Sequence, residues 1–292
     1  MVARIADYIE LSKPGITLFI ALTTATGCIL APGPVDYMLF LHTVVATSLA
    51  AAGAAALNEY FERDVDAAMT RTVSRPLPSA RLRPRGAAIF GVLLGIAGIL
   101  DLLVNVRPTT AIIAAIAYVT YVFVYTPLKK VTPFCTLIGT LPGALPVLAG
   151  WSAEGSVRDG GGWALFLILV FWQLPHFYSL AWLYREDYRG AGLRMLTTMD
   201  PDGAKTRHAV EVSAIFLTIA AFVPALMGMS GMLYAVGALV LNIIMLRLAF
   251  KMKGAAMDSD ARRLFGFSLV YLPAILALLL VDAVSTANVL TL

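Results

Sequence analysis

The chain has 292 residues, of which 59% are hydrophobic and 14% are charged, and its mean hydropathy is +0.81. A soluble domain carries about one quarter charged residues, so this composition excludes a soluble globular protein and describes an integral membrane one. The net charge of +4 does not read as a nucleic-acid surface, because the basic residues sit between apolar spans.

The segment from Met1 to Pro14 is short and amphipathic, with neither a cleavable signal pattern nor an Arg/Ser-rich transit pattern. Apolar runs long enough to cross a bilayer follow at about 14–32, 37–58, 86–105, 109–127, 133–152, 162–184, 209–229, 231–250 and 264–284. The expectation is an all-α polytopic membrane protein: nine transmembrane helices around one central cavity, forming a single domain over 1–292. Placing the N-terminus in the cytoplasm puts 20 of the 22 basic residues inside and leaves only Arg107 and Arg158 outside. The C-terminus then lies outside. The chain is expected in the plasma (inner) membrane of a prokaryote. Cys28 and Cys135 fall near opposite faces and are not expected to pair. The loops rich in polar residues, 59–85, 128–132 and 185–208, all fall on the cytoplasmic side, as expected for one site opening on that face.

The second span runs into Asn58-Glu59-Tyr60-Phe61-Glu62-Arg63-Asp64-Val65-Asp66, and Arg71 and Arg75 follow. Asn58, Glu62 and Asp66 are spaced i, i+4, i+8, which on a helix makes one row of oxygen-bearing side chains about 6 Å apart. Such a row suits Mg²⁺, which takes carboxylates together with phosphate oxygens, and arginines beside it suit the phosphate. The same residues also read as a solvated helix end with ion pairs such as Glu59 with Arg63. Asp64 points away from the row by roughly 160°.

The fourth span ends in Tyr118, Tyr121 and Tyr125, continued by Lys129 and Lys130. These form either a diphosphate clamp or an interfacial aromatic belt with snorkelling lysines. The sixth span carries Trp172-Gln173-Leu174-Pro175-His176-Phe177 and leads to Asp187. On one continuous helix His176 and Asp187 face the same way, with His176 about 16 Å deeper. A polar side chain at that depth marks either a functional site or a histidine bonded to a neighbouring helix. Together these clusters describe a cavity with a charged mouth and an apolar, aromatic interior. It fits a substrate with a phosphate head and a greasy tail, and the chemistry is Mg²⁺-assisted departure of diphosphate from an allylic group.

Asn58-Glu59-x-x-Glu62-x-x-x-Asp66, with Arg71-Thr72-x-x-Arg75-Pro76-Leu77 and Tyr125-x-x-x-Lys129, resembles the motifs of the UbiA-type superfamily of intramembrane prenyltransferases. The Glu62–Thr72 run, the Trp172-Gln173-x-Pro175-His176-Phe177 run and Asp187-Tyr188-x-x-Ala191-Gly192-x-x-Met195-Leu196 are similar to its haem-farnesylating branch. The Asp-x-x-x-Asp of quinone-type members is absent here, and Thr197 stands where Pro is expected.

The resemblance implies transfer of a farnesyl group from farnesyl diphosphate to a vinyl group of haem b, with water completing the substituent and haem b a substrate rather than a cofactor. It implies Mg²⁺ at Asn58, Glu62, Asp66 and Asp187. The catalytic set is Asn58, Glu62, Asp66, Arg71, Arg75, Lys129 and Asp187. Haem-side contacts are His176, Tyr125, Lys130, Trp172 and Gln173. Further implied partners are membrane lipid and a haem A synthase or terminal oxidase assembly, with no nucleic acid. The alternatives are a phenolic or quinone acceptor, or a non-catalytic haem or lipid transporter.

Overall fold

The computed structural model describes residues 2–290. The long helices are α2 (Pro14–Leu30), α3 (Tyr37–Ala67), α4 (Pro84–Asp101), α5 (Pro108–Val119), α6 (Cys135–Glu154), α7 (Gly161–Leu183), α9 (Ala204–Leu226), α10 (Met232–Lys251) and α11 (Met257–Leu290). Two short helices, α1 (Val2–Leu11) and α8 (Arg185–Gly190), lie beside the polar loops. Among the described residues eight helices are long and apolar enough to span a membrane, or nine when α1 and α2, bent by 55°, are taken together as one span. The protein is therefore a multi-pass membrane protein. The run expected over 14–32 is α2, with the kink from α1 before it. The kink sits at Lys13, whose backbone is left-handed at φ 49, immediately before Pro14.

Helix α3 starts cleanly because the Asp36 carboxylate accepts the Met38 and Leu39 amides at 2.9 and 3.2 Å. Its run of small residues lets α4 approach closely, as small residues do in membranes, where packing rather than hydrophobicity joins helices. A Cβ built on Gly53 would lie 2.6 Å from the Gly95 nitrogen. Helices α6 and α7 form the centre of the bundle: α6 packs on α2, α3, α5 and α7, and α7 packs on α9 and α11. Proline residues inside α6 (Pro142, Pro146) and α7 (Pro175) are tolerated because neighbouring helices cover the freed backbone.

Two helices lose α geometry part-way. Leu102–Val106 after α4 and Thr120–Tyr125 after α5 are π-helical. The second segment advances the chain more slowly per residue and carries Tyr121 and Tyr125 with ring centroids 5.5 Å apart. Cys28 and Cys135 are free and buried.

Substituting Gly53→Leu is expected to force α3 and α4 apart and cost about 1–3 kcal/mol. A fall in the thermal midpoint of the detergent-solubilised protein measures this, and an unchanged midpoint contradicts the close approach.

Candidate active site

Helix α3 extends well beyond its apolar run, and that overhang carries the polar row. Asn58, Glu59, Glu62 and Asp66 are all buried, so each needs a partner. The Lys13 ammonium donates to Asn58 Oδ1 at 2.7 Å, and Asn58 Nδ2 donates to Thr126 Oγ1 at 3.0 Å. Lys129 Nζ sits between the Glu62 oxygens at 2.8 and 3.0 Å. Arg75 Nη1 donates to Asp66 Oδ2 at 2.8 Å, and its Nε lies 3.8 Å from Glu59. Thr72 Oγ1 donates to the Asp66 carbonyl at 2.8 Å, closing the turn that brings Arg75 back onto the helix.

The result is an alternation of anions and cations at one end of the bundle. Burial alone lowers the pKa of Arg75, but the Asp66 carboxylate outweighs it and holds the guanidinium above its ordinary arginine value. Burial acts the same way on Lys129, and Glu62 overrides it, holding the ammonium well above its ordinary value.

This row forms the mouth of a cavity of about 550 Å³, within the range of small-molecule sites. Its walls are Ala50, Ala51, Ala54 and Ala55 of α3, Tyr118, Tyr121 and Tyr125, Pro142 and Gly143 of α6, and Trp172, Gln173, His176 and Phe177 of α7. Arg71 also lines it, with its guanidinium 5.0 Å over the Tyr184 ring and no carboxylate paired to it among the described residues. Lys129 Nζ lies 4.6 Å from the Tyr125 ring centroid.

His176 is seven residues before the last residue of α7, about 10 Å below it by the helical rise. Its ring stacks on Trp172 at 5.1 Å and 22°. Gln173 spends its amide group on the Thr140 and Leu169 carbonyls at 3.1 and 3.0 Å and so joins α6 to α7. Gly143 is required beside it, because a Cβ there would strike the Gln173 amide oxygen.

Two expected site residues are not brought to the cavity wall. Helix α7 does not continue to Asp187: it ends at Leu183, where Arg185 Nη1 donates to the Trp182 carbonyl at 2.8 Å and pairs with Asp258 at 3.1 Å. The chain turns there into α8, which buries Tyr188 with Leu193 and Met195 against Val65 and Met69. Asp187, about 100° round the helix from Tyr188, takes only a 3.4 Å contact from Thr70. Lys130, one residue beyond Lys129, is exposed. The expected Glu59–Arg63 pair does not form either: Arg63 meets Asp64 at 3.6 Å and Glu59 turns inward to Arg75. Lys13 lines the cavity although the sequence assigned it no role, and Glu59, which stood in the motif without a role, pairs with Arg75 without lining it. The signal for Lys13 was a lone lysine against Pro14 at the start of an apolar run.

Among the described residues no cluster of three His, Cys, Asp or Glu side chains is placed to cage a metal. Glu62 and Asp66 with the Asn58 amide make a donor set of two carboxylates and one neutral oxygen. That set fits Mg²⁺ arriving with a phosphate group, since Mg²⁺ is held by one or two carboxylates plus substrate oxygens.

The fold is shared with solved structures at low sequence identity. It superposes on a digeranylgeranylglyceryl phosphate synthase with a TM-score of 0.81 at 18% identity, covering 97% of this chain and 99% of that one. A UbiA homologue from Aeropyrum pernix K1 matches with a TM-score of 0.74 at 16% identity, covering 91% and 97%. One from Archaeoglobus fulgidus, bound to DMAPP and Mg²⁺, matches with a TM-score of 0.66 at 16% identity, covering 94% and 99%. Residues 20–272 match the model of the UbiA prenyltransferase family, and the chain belongs to that family. It is 42% identical over 286 residues to the protoheme IX farnesyltransferase of Solibacter usitatus, covering 94% of this chain and 98% of that one. It is 41% identical over 279 residues to that of Salinibacter ruber, with the same coverage.

Asp66 and Arg75 are expected to be energetically coupled. In a double-mutant cycle with Asp66→Asn and Arg75→Met, unfolding measurements should give an interaction of about 1–3 kcal/mol. Simple additivity would show that the pair is not formed.

Proposed function

We propose that this protein transfers the farnesyl group of farnesyl diphosphate to a vinyl group of haem b. The observation that carries the reading is the joining, in one cavity, of a cationic mouth to an apolar chamber with His176 in its wall. Relatives at 41–42% identity named protoheme IX farnesyltransferase supply the substrates.

In this reading Lys13, Arg71, Arg75 and Lys129 hold the diphosphate oxygens, while Asn58, Glu62 and Asp66 would hold Mg²⁺. When bound, Mg²⁺ supplies charge neutralisation to the leaving diphosphate. The farnesyl chain lies along the alanine face of α3. As the C1–O bond breaks, positive charge spreads over the allylic carbons, where the faces of Tyr121 and Tyr125 stabilise it without reacting. The apolar walls keep water away until the new bond forms.

The vinyl π electrons form the carbon–carbon bond to C1, leaving positive charge on the vinyl carbon next to the macrocycle. Water adds there and loses one proton. The balance is haem b, farnesyl diphosphate and water giving hydroxyethylfarnesyl haem, diphosphate and a proton. His176, Trp172 and Tyr125 face the acceptor, and Gln173 acts by holding α6 to α7.

Purified protein given haem b, farnesyl diphosphate and Mg²⁺ should yield a farnesylated, hydrated haem, read by mass. Glu62→Gln or removal of divalent cations by EDTA should lower the yield by about 100-fold or more. A farnesylated 4-hydroxybenzoate in place of any haem product overturns the acceptor; activity indifferent to EDTA and to Glu62→Gln overturns the diphosphate site.

The same reading makes residues 1–292 one membrane prenyltransferase domain in the plasma membrane of a prokaryote, with the mouth facing the cytoplasm. In intact cells a membrane-impermeant thiol reagent should label Arg158→Cys and spare Ser79→Cys. The reverse pattern inverts the topology.

A further inference from the structure

Ser268 of α11 touches the acceptor end of the cavity wall twice. Its carbonyl accepts Trp172 Nε1–H at 2.8 Å, and its hydroxyl oxygen lies 2.8 Å from His176 Nδ1. The same hydroxyl donates to the Phe265 carbonyl at 2.6 Å, and the residue is fully buried. A hydroxyl has one hydrogen, and we assign it to the shorter contact, the Phe265 carbonyl. With that assignment the Ser268 oxygen accepts from His176, and Nδ1 carries the hydrogen. In a neutral imidazole that leaves Nε2 bare, as a lone pair.

The rest of the surroundings agree. The imidazole stacks on Trp172 and makes a tilted contact with Phe265, with centroids at 5.1 and 4.9 Å and interplanar angles of 22° and 31°. Its Nε2 has no hydrogen-bond partner among the described residues, and no carboxylate reaches the ring there. His176 lines the cavity. A histidine held at Nδ1, packed against two aromatic rings and without a partner at Nε2 is set up as a metal ligand, because a second group fixes the tautomer and the ring plane.

We infer that Ser268 is a positioning residue that fixes His176 as the Nδ1–H tautomer and presents Nε2 as an axial ligand to the iron of the acceptor haem. The inference rests on the haem reading above. Iron ligation anchors the macrocycle, while Trp172, tied to the same serine, sets the plane beside it.

The test uses the full-length protein in detergent with ferric haem b and no farnesyl diphosphate. The wild type should give the absorption and electron paramagnetic resonance signature of histidine-ligated haem. His176→Ala should lose it and regain it with added imidazole. Ser268→Ala should weaken haem binding by about 10-fold and broaden the signature, raising KM for haem more than it lowers kcat. Ser268→Thr, which keeps the hydroxyl, should restore the signature. Ser268→Ala leaves the backbone carbonyl that holds Trp172, so its thermal midpoint should stay close to wild type.

Where Ser268→Ala does not fold, His176→Gly carries the test. Imidazole, with an N–H for Ser268, should rescue haem ligation at lower concentration than 1-methylimidazole, which has none. Equal rescue by the two, or a wild-type signature and KM in Ser268→Ala, overturns the inference while haem product still forms. Absence of both haem binding and haem product from the wild type overturns the reading beneath it as well.

Discussion

Buried charge on α3 is the constraint from which the rest of the protein follows. Glu59, Glu62 and Asp66 lie out of water, and the groups that answer them are half-buried: Lys129 and Arg75 keep 15% and 22% of their side chains exposed, and Lys13 is half-buried beside Asn58. Ion pairs in such a place cost several kcal/mol per ion to desolvate, and well-packed apolar side chains would serve stability as well or better. Their retention is explained by readiness. Each cation is already largely out of water and held, Lys129 and Arg75 by carboxylates and Lys13 by the Asn58 amide oxygen, so an incoming diphosphate would meet donors that need little reorganisation. In the proposed reaction its arrival would exchange partners: cations would turn to phosphate oxygens, and the released carboxylates would hold the divalent ion that travels with the anion. The pairs that neutralise the protein without substrate are then the groups proposed to bind it.

That row dictates the shape of the bundle around it. Helix α3 must outrun its apolar stretch, so its last turns stand among the loops that bring Arg71, Arg75 and Lys129 to it. Below the row, one side of α3 is small enough for α4 to pack against its backbone, and Ala50, Ala51, Ala54 and Ala55 face the cavity. The volume for a prenyl chain thus comes from side chains that are absent rather than from helices spread apart. The π-helical segment at Thr120–Tyr125 serves the same end. It changes the pitch of α5 where Tyr121 and Tyr125 must reach the cavity and Lys129 must reach Glu62, and π segments recur at functional sites for this kind of re-aiming.

What could be read from the chain beforehand follows a physical line. The spans were legible because bilayer thickness fixes their length, and the row at Asn58, Glu62 and Asp66 because four-residue spacing fixes a face. His176 stood out because a polar group inside an apolar helix is costly. What escaped depends on contacts between distant segments. Nothing in the local sequence says that Glu59 turns from Arg63 to Arg75, since both arginines lie within reach along the chain. The break after Leu183, which takes Asp187 out of the wall, depends on Asp258, seventy-one positions beyond Asp187, pulling Arg185 aside. Lys13 looked like a topology marker until the kink at α1 and α2 placed it against Asn58.

The division of labour between helices has a consequence for how such sites diverge. The groups proposed for the diphosphate sit on α3 and the loops beside it, several cations sharing one anion. Those proposed for the acceptor sit on α7 and α11, where His176 depends on a single hydroxyl and Trp172 on a single carbonyl. A shared cationic cluster tolerates loss or movement of one member better than a lone hydrogen bond does. Change in α7 and α11 therefore alters the acceptor without touching the reaction at the mouth. A fold kept at a TM-score of 0.81 with only 18% identity is compatible with that arrangement, because the scaffold that brings the two sets together depends on helix packing and not on which acceptor the deep end receives.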